Sequence, residues 1–484
     1  MKLGNLLNQL SELTSIHNDE FDSIEIVGIS ANSEEIQPGY LFIAIPGYQT
    51  DGHDYIESAL SAGAAVIVGE KDKSDLPVPY IKVSNSRLAL AMLACEFYRN
   101  PSRNHIVIGI TGTNGKTTTS FMLKHMLESA GKTCALFGSV YNIVNGQITS
   151  SQRNTTLDAI ELQKQIAASQ DDFIIIEVSS HGIAQHRIWG IEFDVCLFTN
   201  LDQDHLDYHH NMEEYFKVKA SLFDQLSTQG RAVINCYDSW GEKLVDLISQ
   251  KEIIPLGKDA YFLERKSSDS IAHLSLNNEN YKLKLNMLGI HNFQNAAMAF
   301  LTASQLGINE QLMEDCLQSF SGVPGRFEVF QHPCGANFIV DYAHTAAAFS
   351  QCLQTALEMK AKSITHIFGF RGDRDPNKRR EMADVSCEFS DLSILTFDDL
   401  NSIPHKKMEE TLLQYHKDGK TLVIPDRTLA IKHAWDTATN GEWVIITGKG
   451  HENYQQEFEL PTTSDAETLQ YLLNNSNEQE ASIS

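Results

Sequence analysis

"HIVIGITGTNGKTTT", residues 105–119, runs an apolar segment into a glycine-rich turn that ends in Gly115, Lys116 and Thr117. The apolar segment reads as a strand covered on both faces. The "SFMLKHMLESAG" that follows repeats Met122 and Met126, Leu123 and Leu127 at helical spacing, and Gly131 suits the C-cap. Strand, glycine turn and helix in this order let backbone N–H groups converge on phosphate oxygens. Lys116 can reach a terminal phosphate, and the Thr117 hydroxyl can bind Mg²⁺. The strict phosphate-loop pattern places a glycine where Ile110 stands, and here Gly112 lies closer in. The segment predicts a nucleoside triphosphate site but not the reaction, because motors, switches, kinases and ligases share such loops.

Further apolar runs alternate with amphipathic stretches on either side of this unit: "FIIIEVSS", "DVCLFTN", "AVINCYD", "NFIVDYAH", "THIFGF", "LSILTF", "TLVIP" and "WVIITGKG". This is an α/β pattern, and parallel sheets bind ligands beyond the carboxyl ends of their strands. A chain of 484 residues allows about three domains. The turn-rich "YRNPSRN" and "SGVPGRFE" divide it into 1–101, 102–326 and 327–484. Lys plus Arg number 38 against 63 Asp plus Glu, a net charge of −25, which argues against nucleic acid or an anionic membrane surface as partner. With no signal pattern and no apolar run of spanning length, a cytoplasmic protein without membrane insertion is expected. The eight cysteines have no paired spacing, so they read as core residues. The ending "NNSNEQEASIS" reads as a frayed tail.

Two strands after the loop end in groups suited to a cation, Glu177 in "FIIIEVSS" and Asp204 with His205 in "FTNLDQDH". His181, His186, His209 and His210 read as loop groups, and no His-x3-His spacing suggests zinc. In the third region, "LSILTFDDLNS" ends a strand in Asp398 and Asp399, which either cap a turn or grip a cation.

"GTNGKTTT", "EVSSHGIAQHR", "FTNLDQDHLDYHHNMEEYFKVKASLF", "LGIHNFQNAAMA", "GVPGRFE", "VDYAHT", "GDRDPNKRR" and "GKGHENYQ" occur in an order and spacing that resemble the Mur ligases. The resemblance covers nearly the whole chain. It is nearest to those members that add a diamino acid to UDP-N-acetylmuramoyl-L-alanyl-D-glutamate in peptidoglycan synthesis. The fold it implies is α/β and three-domain: an N-terminal UDP-sugar-binding domain, a central P-loop ATPase domain and a doubly wound C-terminal domain that brings the amino acid. ATP would phosphorylate a carboxylate, and an amine would attack the acyl phosphate to form an amide.

The resemblance also implies site residues. Catalysis would fall to Lys116, Glu177, His205 and Lys219, with Thr117, Glu177, His205 and Lys219 around Mg²⁺. Lys219 matches the family's carbamylated lysine, whose CO2 adduct turns a cation into an anionic oxygen ligand. Gly112, Thr113, Asn114, Gly115, Lys116, Thr117, Thr118, Asn292, Asn295, Arg326, Asp341 and His344 would surround ATP. Ala31, Ser33, Tyr48, Gln49 and Thr50 would face the uridine end of the UDP-sugar dipeptide, and Asn154, Thr155, Thr156, Ser179, Gln185 and Arg187 its sugar-dipeptide. Arg374, Asp398, Asp399, Leu400, Asn401, Gly448 and Glu452 would form the amino-acid pocket. A monomer is expected.

Several positions depart from the family pattern. Asn32 and Glu34 flank Ser33 where aspartate and arginine are usual, Leu157 replaces a proline, and Ala346 and Ala347 replace proline and aspartate. The alternative is therefore a related ligase with another acceptor, such as a folyl, polyamino-acid or natural-product substrate, or a nucleotide-binding regulatory protein. The meso-diaminopimelate enzymes carry Asp-Asn-Pro-Arg where this chain has Asp398, Asp399, Leu400 and Asn401. Losing that arginine and gaining an acid favours a side-chain ammonium, as in L-lysine or L-ornithine, whereas "GHENYQ" is closer to the diaminopimelate enzymes.

Overall fold

The computed structural model describes residues 1–10, 12–13, 23–47, 50–73, 75–150, 154–258, 260–265, 271–277, 279–374 and 376–483. Its strands form four sheets. The first is parallel throughout, in the order Gly28–Ser30, Tyr40–Ile43, Val66–Gly69, Tyr80–Lys82.

The second sheet is built around the phosphate-loop strand. Its order is Glu252–Leu256, Leu226–Asn235, Phe193–Phe198, Ile106–Thr111, Phe173–Glu177, Cys134–Phe137, Tyr141–Val144, Gln147–Ser150. Six strands run parallel and the last two are antiparallel. Both faces are covered, which explains the unbroken apolar runs. Ile108 and Ile110 pack with Met122, Leu123, Met126 and Leu127 of the helix Lys116–Ser129, while Val107, Ile174 and Ile176 face the opposite layer with Phe216. Each such side chain contributes about 1.5–3 kcal/mol by leaving water. Gly131, at φ +76°, follows this helix as expected.

A three-stranded antiparallel sheet, Tyr261–Arg265, Ile271–Leu276 and Glu279–Lys284, is set beside the helix Ile290–Gln305. The fourth sheet has the order Glu328–Gln331, Asn337–Asp341, Glu442–Thr447, Ser363–Phe370, Leu392–Phe397, Thr421–Val423, parallel apart from its first strand. The helix Ala346–Glu358 covers one face through Phe349 and Leu353, and Arg427–Thr437 covers the other through Ile431 and Trp435. This sandwiching makes the third domain doubly wound.

The helix Asp465–Ile483 extends into the polar tail. Its first turn is anchored in the core, where Asp465 accepts two hydrogen bonds from the buried Arg427 guanidinium, each 2.7 Å long. Among the described residues, no helix is long and apolar enough to cross a membrane. None of the eight cysteines forms a disulfide among the described residues, and six of them are buried.

Candidate functional site

Strand register aligns the chemistry. Ile110 is level with Glu177 and Phe198 with Thr111, so the phosphate loop, Glu177 and the loop to His205 leave one edge of the second sheet together. In the fourth sheet Asp341 is level with Thr447, and Phe370 with Phe397, so Tyr342, Gly448, Arg371 and Asp398 leave a second edge. A cavity of about 550 Å³ lies between these edges, lined from both.

On the phosphate-loop side, Gly115 turns at φ +83°, and a side chain there would meet the Asn295 amide. The amines of Lys116 and Lys219 converge on the Gly112 carbonyl at 2.9 and 2.8 Å. Burial pushes both down from the ordinary lysine range, Lys219 well below it, and each amine opposes the other's charge or lies near a further cation. The fully buried Glu177 accepts from Thr117 Oγ1 at 2.9 Å, Ser139 Oγ at 3.1 Å and Ser120 Oγ at 3.3 Å. The His205 imidazole is pushed down to about 3, chiefly by burial, and so stays neutral; its ring lies edge-on to His181 at 4.8 Å. Thr113 to Thr118, Asn292 and Asn295 line the cavity, and the Asn292 amide donates to Leu288 O at 2.6 Å.

Contacts from the third domain close over this side. Burial would raise the Asp204 carboxyl, but His205, His344 and Lys378 hold it well below the usual range. His344 Nε2 lies 3.3 Å and Lys378 Nζ 3.5 Å from it. His451 Nε2 meets Ser139 O at 3.2 Å. Arg326 donates to Thr117 Oγ1 at 3.3 Å while its guanidinium lies 4.3 Å from the Tyr342 ring. Asp341 lines the cavity and also fixes the connecting loop, accepting from Phe327 N and Ala343 N at 2.7 Å each.

The sugar-dipeptide residues divide. Asn154, Thr155, Ser179 and Arg187 line the cavity, whereas Thr156 and Gln185 do not. Thr156 is buried, bonded to Glu177 O at 3.0 Å, and Gln185 accepts from Arg187 at 2.7 Å. Leu157, the replaced proline, is core. Ala31, Ser33 and Thr50 lie with the first sheet, away from the cavity walls, while Tyr48 and Gln49 lie outside the described residues. Asn32 caps the turn Ser33–Glu35 through Glu34 N at 3.1 Å, which leaves Glu34 exposed.

The residues of the amino-acid motif divide in the same way. Of its residues Arg374, Asp398 and Glu452 line the cavity; Asp399, Leu400, Asn401 and Gly448 do not. Asp399 does hold a cation, but it is Lys449, 2.5 Å away and buried with it. Leu400 is buried, and Asn401 is exposed, with its amide donating to Gly372 O at 2.7 Å. Arg374 is 3.7 Å from Asp207 across the domain border rather than beside Asp398. The guanidinium beside Asp398 and Glu452 is Arg371, which directly follows the strand Ser363–Phe370. Its place at a strand end was the available sequence signal. Lys378 and Ser139 also escaped the reading.

A phosphate loop facing the strand-end charges of a doubly wound domain across one cavity defines a multidomain, nucleotide-dependent protein. Family profiles described as Mur ligase family, catalytic domain, Mur ligase middle domain, and Mur ligase, glutamate ligase domain match residues 25–98, 110–303 and 325–450. The chain is 36% identical over 477 residues to UDP-N-acetylmuramoyl-L-alanyl-D-glutamate--2,6-diaminopimelate ligase of Syntrophomonas wolfei subsp. wolfei, covering 94% of this chain and 95% of that one. It is 38% identical over 439 residues to the ligase of the same name from Aquifex aeolicus, covering 89% and 90%. A solved structure of a ligase so named aligns at TM-score 0.67 and 27% identity, covering 97% and 99%. MurF from Acinetobacter baumannii shares the fold at TM-score 0.68, 18% identity and 97% and 98% coverage. The chain belongs to the Mur ligase family and is an ATP-dependent amide ligase.

Proposed function

We propose that this protein joins a diamino acid to UDP-N-acetylmuramoyl-L-alanyl-D-glutamate in the cytoplasm, using ATP, in peptidoglycan synthesis. The observation that carries the reading is the single cavity in which the phosphate loop faces the charged strand ends of the third domain; relatives so named support it. Residues 1–101 would bind the uridine end, 102–326 ATP and the dipeptide, and 327–484 the amino acid. A carboxylate and a γ-phosphate must approach each other, so fixed cations are needed where their charges meet, and Lys116 and Arg326 would supply them. Arg187, Asn154, Thr155 and Ser179 would orient the dipeptide. Asn292 and Asn295 would lie along the nucleotide. Contacts between His344 and Asp204 would keep water from the acyl phosphate by holding the domains together.

The donor set fits Mg²⁺: the Thr117 hydroxyl, the Glu177 carboxylate and a His205 ring that stays neutral. Among the described residues no cluster of three His, Cys, Asp or Glu side chains forms a ready cage, and a carbamate on Lys219 would add an oxygen ligand. A neutral Lys219 amine can attack CO2, forming an N–C bond and releasing a proton, to give that ligand as a carbamate. When bound, the cation would neutralise charge developing on the phosphoryl oxygens.

The test is phosphate release with UDP-N-acetylmuramoyl-L-alanyl-D-glutamate, ATP and, in turn, meso-diaminopimelate, L-lysine and L-ornithine. Release that depends on both acceptor and amino acid is expected. Release only with a folyl or other acceptor would replace this reading.

A further inference from the structure

Arg371 stands on the cavity wall beside Asp398, Glu452 and Tyr342. One guanidinium nitrogen pairs with Glu452 and donates to Gly448 O at 3.1 Å. Its buried Nε makes no hydrogen bond among the described residues and lies 3.4 Å from Asp398 Oδ1. The Tyr342 ring, 5.5 Å from the guanidinium, donates its hydroxyl to Glu452 at 3.1 Å. Neighbouring charges are committed elsewhere, Lys449 to Asp399 and Arg374 towards Asp207. Asn401, where the diaminopimelate enzymes carry arginine, is off the wall altogether.

We infer that Arg371 is the specificity-determining cation of the amino-acid pocket: it holds the carboxylate at the far end of a diamino dicarboxylic acid, while Glu452 takes the ammonium on the same carbon. An ion pair whose two members both line the cavity is a template for a zwitterion. The ligand's carboxylate replaces Glu452 on Arg371, and its ammonium replaces Arg371 on Glu452, so no charge is left without a partner. A ligand with an ammonium alone satisfies Glu452 but strips Arg371 of that carboxylate, and the site discriminates against it. Arg371 thus supplies from one strand end the guanidinium missing at position 401 on the next. The charge balance of Asp398 to Asn401, which favoured lysine in the sequence, is offset by a residue outside that stretch.

The inference rests on the reaction proposed above and is tested within it by measuring kcat/KM for meso-diaminopimelate and for L-lysine. Wild type is expected to prefer meso-diaminopimelate. Arg371→Met should lower the ratio of the two by about 100-fold, mostly through KM for meso-diaminopimelate, and Arg371→Lys by less, since a point charge replaces the planar fork. Asn401→Arg should leave the ratio unchanged. A wild-type preference for lysine, or an equal loss for both amino acids in Arg371→Lys and Arg371→Met, would overturn the role of Arg371 while leaving the reaction intact. Wild type that releases phosphate with neither amino acid would overturn the reaction and the inference together.

Discussion

Lys219, as the carbamate proposed above, would be a buried side chain that changes its electrostatic sense. It is 2% exposed, bonded at 2.8 Å to a single carbonyl and within 4.8 Å of the Tyr215 ring. Burial, with the nearby Lys116 charge in support, pushes the amine well below the ordinary lysine range, towards the neutral form that combines with CO2. Lys219→Ala should lower kcat by about 100-fold or more, and millimolar formate or acetate should restore part of it by returning an anionic oxygen. A ¹³C carbamate resonance from labelled bicarbonate should be present in wild type and absent in the variant. Full activity of Lys219→Ala would remove the carbamate from the mechanism. Lys219 is also the residue that sequence alone served worst: outside a family motif, a lysine in "YFKVKASLF" reads as a solvated helix residue, and its burial depends on packing.

At the scale of the element, the strand Ser363–Phe370 carries His366 in the interior of the third domain. Its ring nitrogens meet Ser386 Oγ at 2.8 Å and Thr447 Oγ1 at 2.9 Å, tying a helix and a neighbouring strand to it. Burial, with the Arg427 charge in support, pushes the imidazole down to about 3. The unfolded chain therefore takes up the proton first, and this residue's contribution to stability is complete above about 6.5 and is lost as pH falls towards 3. Between pH 7.5 and 5.5 the loss should be about 1.4 kcal/mol. Denaturant unfolding of His366→Gln should show that much less acid sensitivity than wild type; equal sensitivity would place the proton uptake elsewhere. The strand was legible in "THIFGF" because apolar runs covered on both faces are distinctive. The role of its histidine was not, because both partners come from other elements.

Across the whole molecule, the second and fourth sheets meet around the buried Asp204 and partly buried cations. Asp204 receives His344 and Lys378 from the third domain, Arg326 joins Thr117 to Tyr342, and Gly325, at φ +66°, lets the connecting loop run against the Gly450–His451 backbone. Asp204 is buried while His344 and Lys378 are partly exposed, so removing the carboxylate costs about 1–3 kcal/mol. Asp204→Asn should thus weaken the closed arrangement, raising the radius of gyration in small-angle X-ray scattering and lowering kcat together. An unchanged radius would show that other contacts suffice for closure.

The sequence by itself determined the phosphate loop, the α/β class, the strands of both large sheets and the family motifs, since each is written in short-range periodicity and in residue types at fixed spacing. Only the tertiary structure decided which charges line the cavity. Asp399 is turned to Lys449, fifty residues on, and Arg371 to Glu452, because the strand order sets Glu442–Thr447 beside Ser363–Phe370, and Ser363–Phe370 beside Leu392–Phe397. Pairing between charges at adjacent strand ends follows that order rather than distance along the chain, so a four-residue motif could name the pocket without naming the cation that reads its ligand.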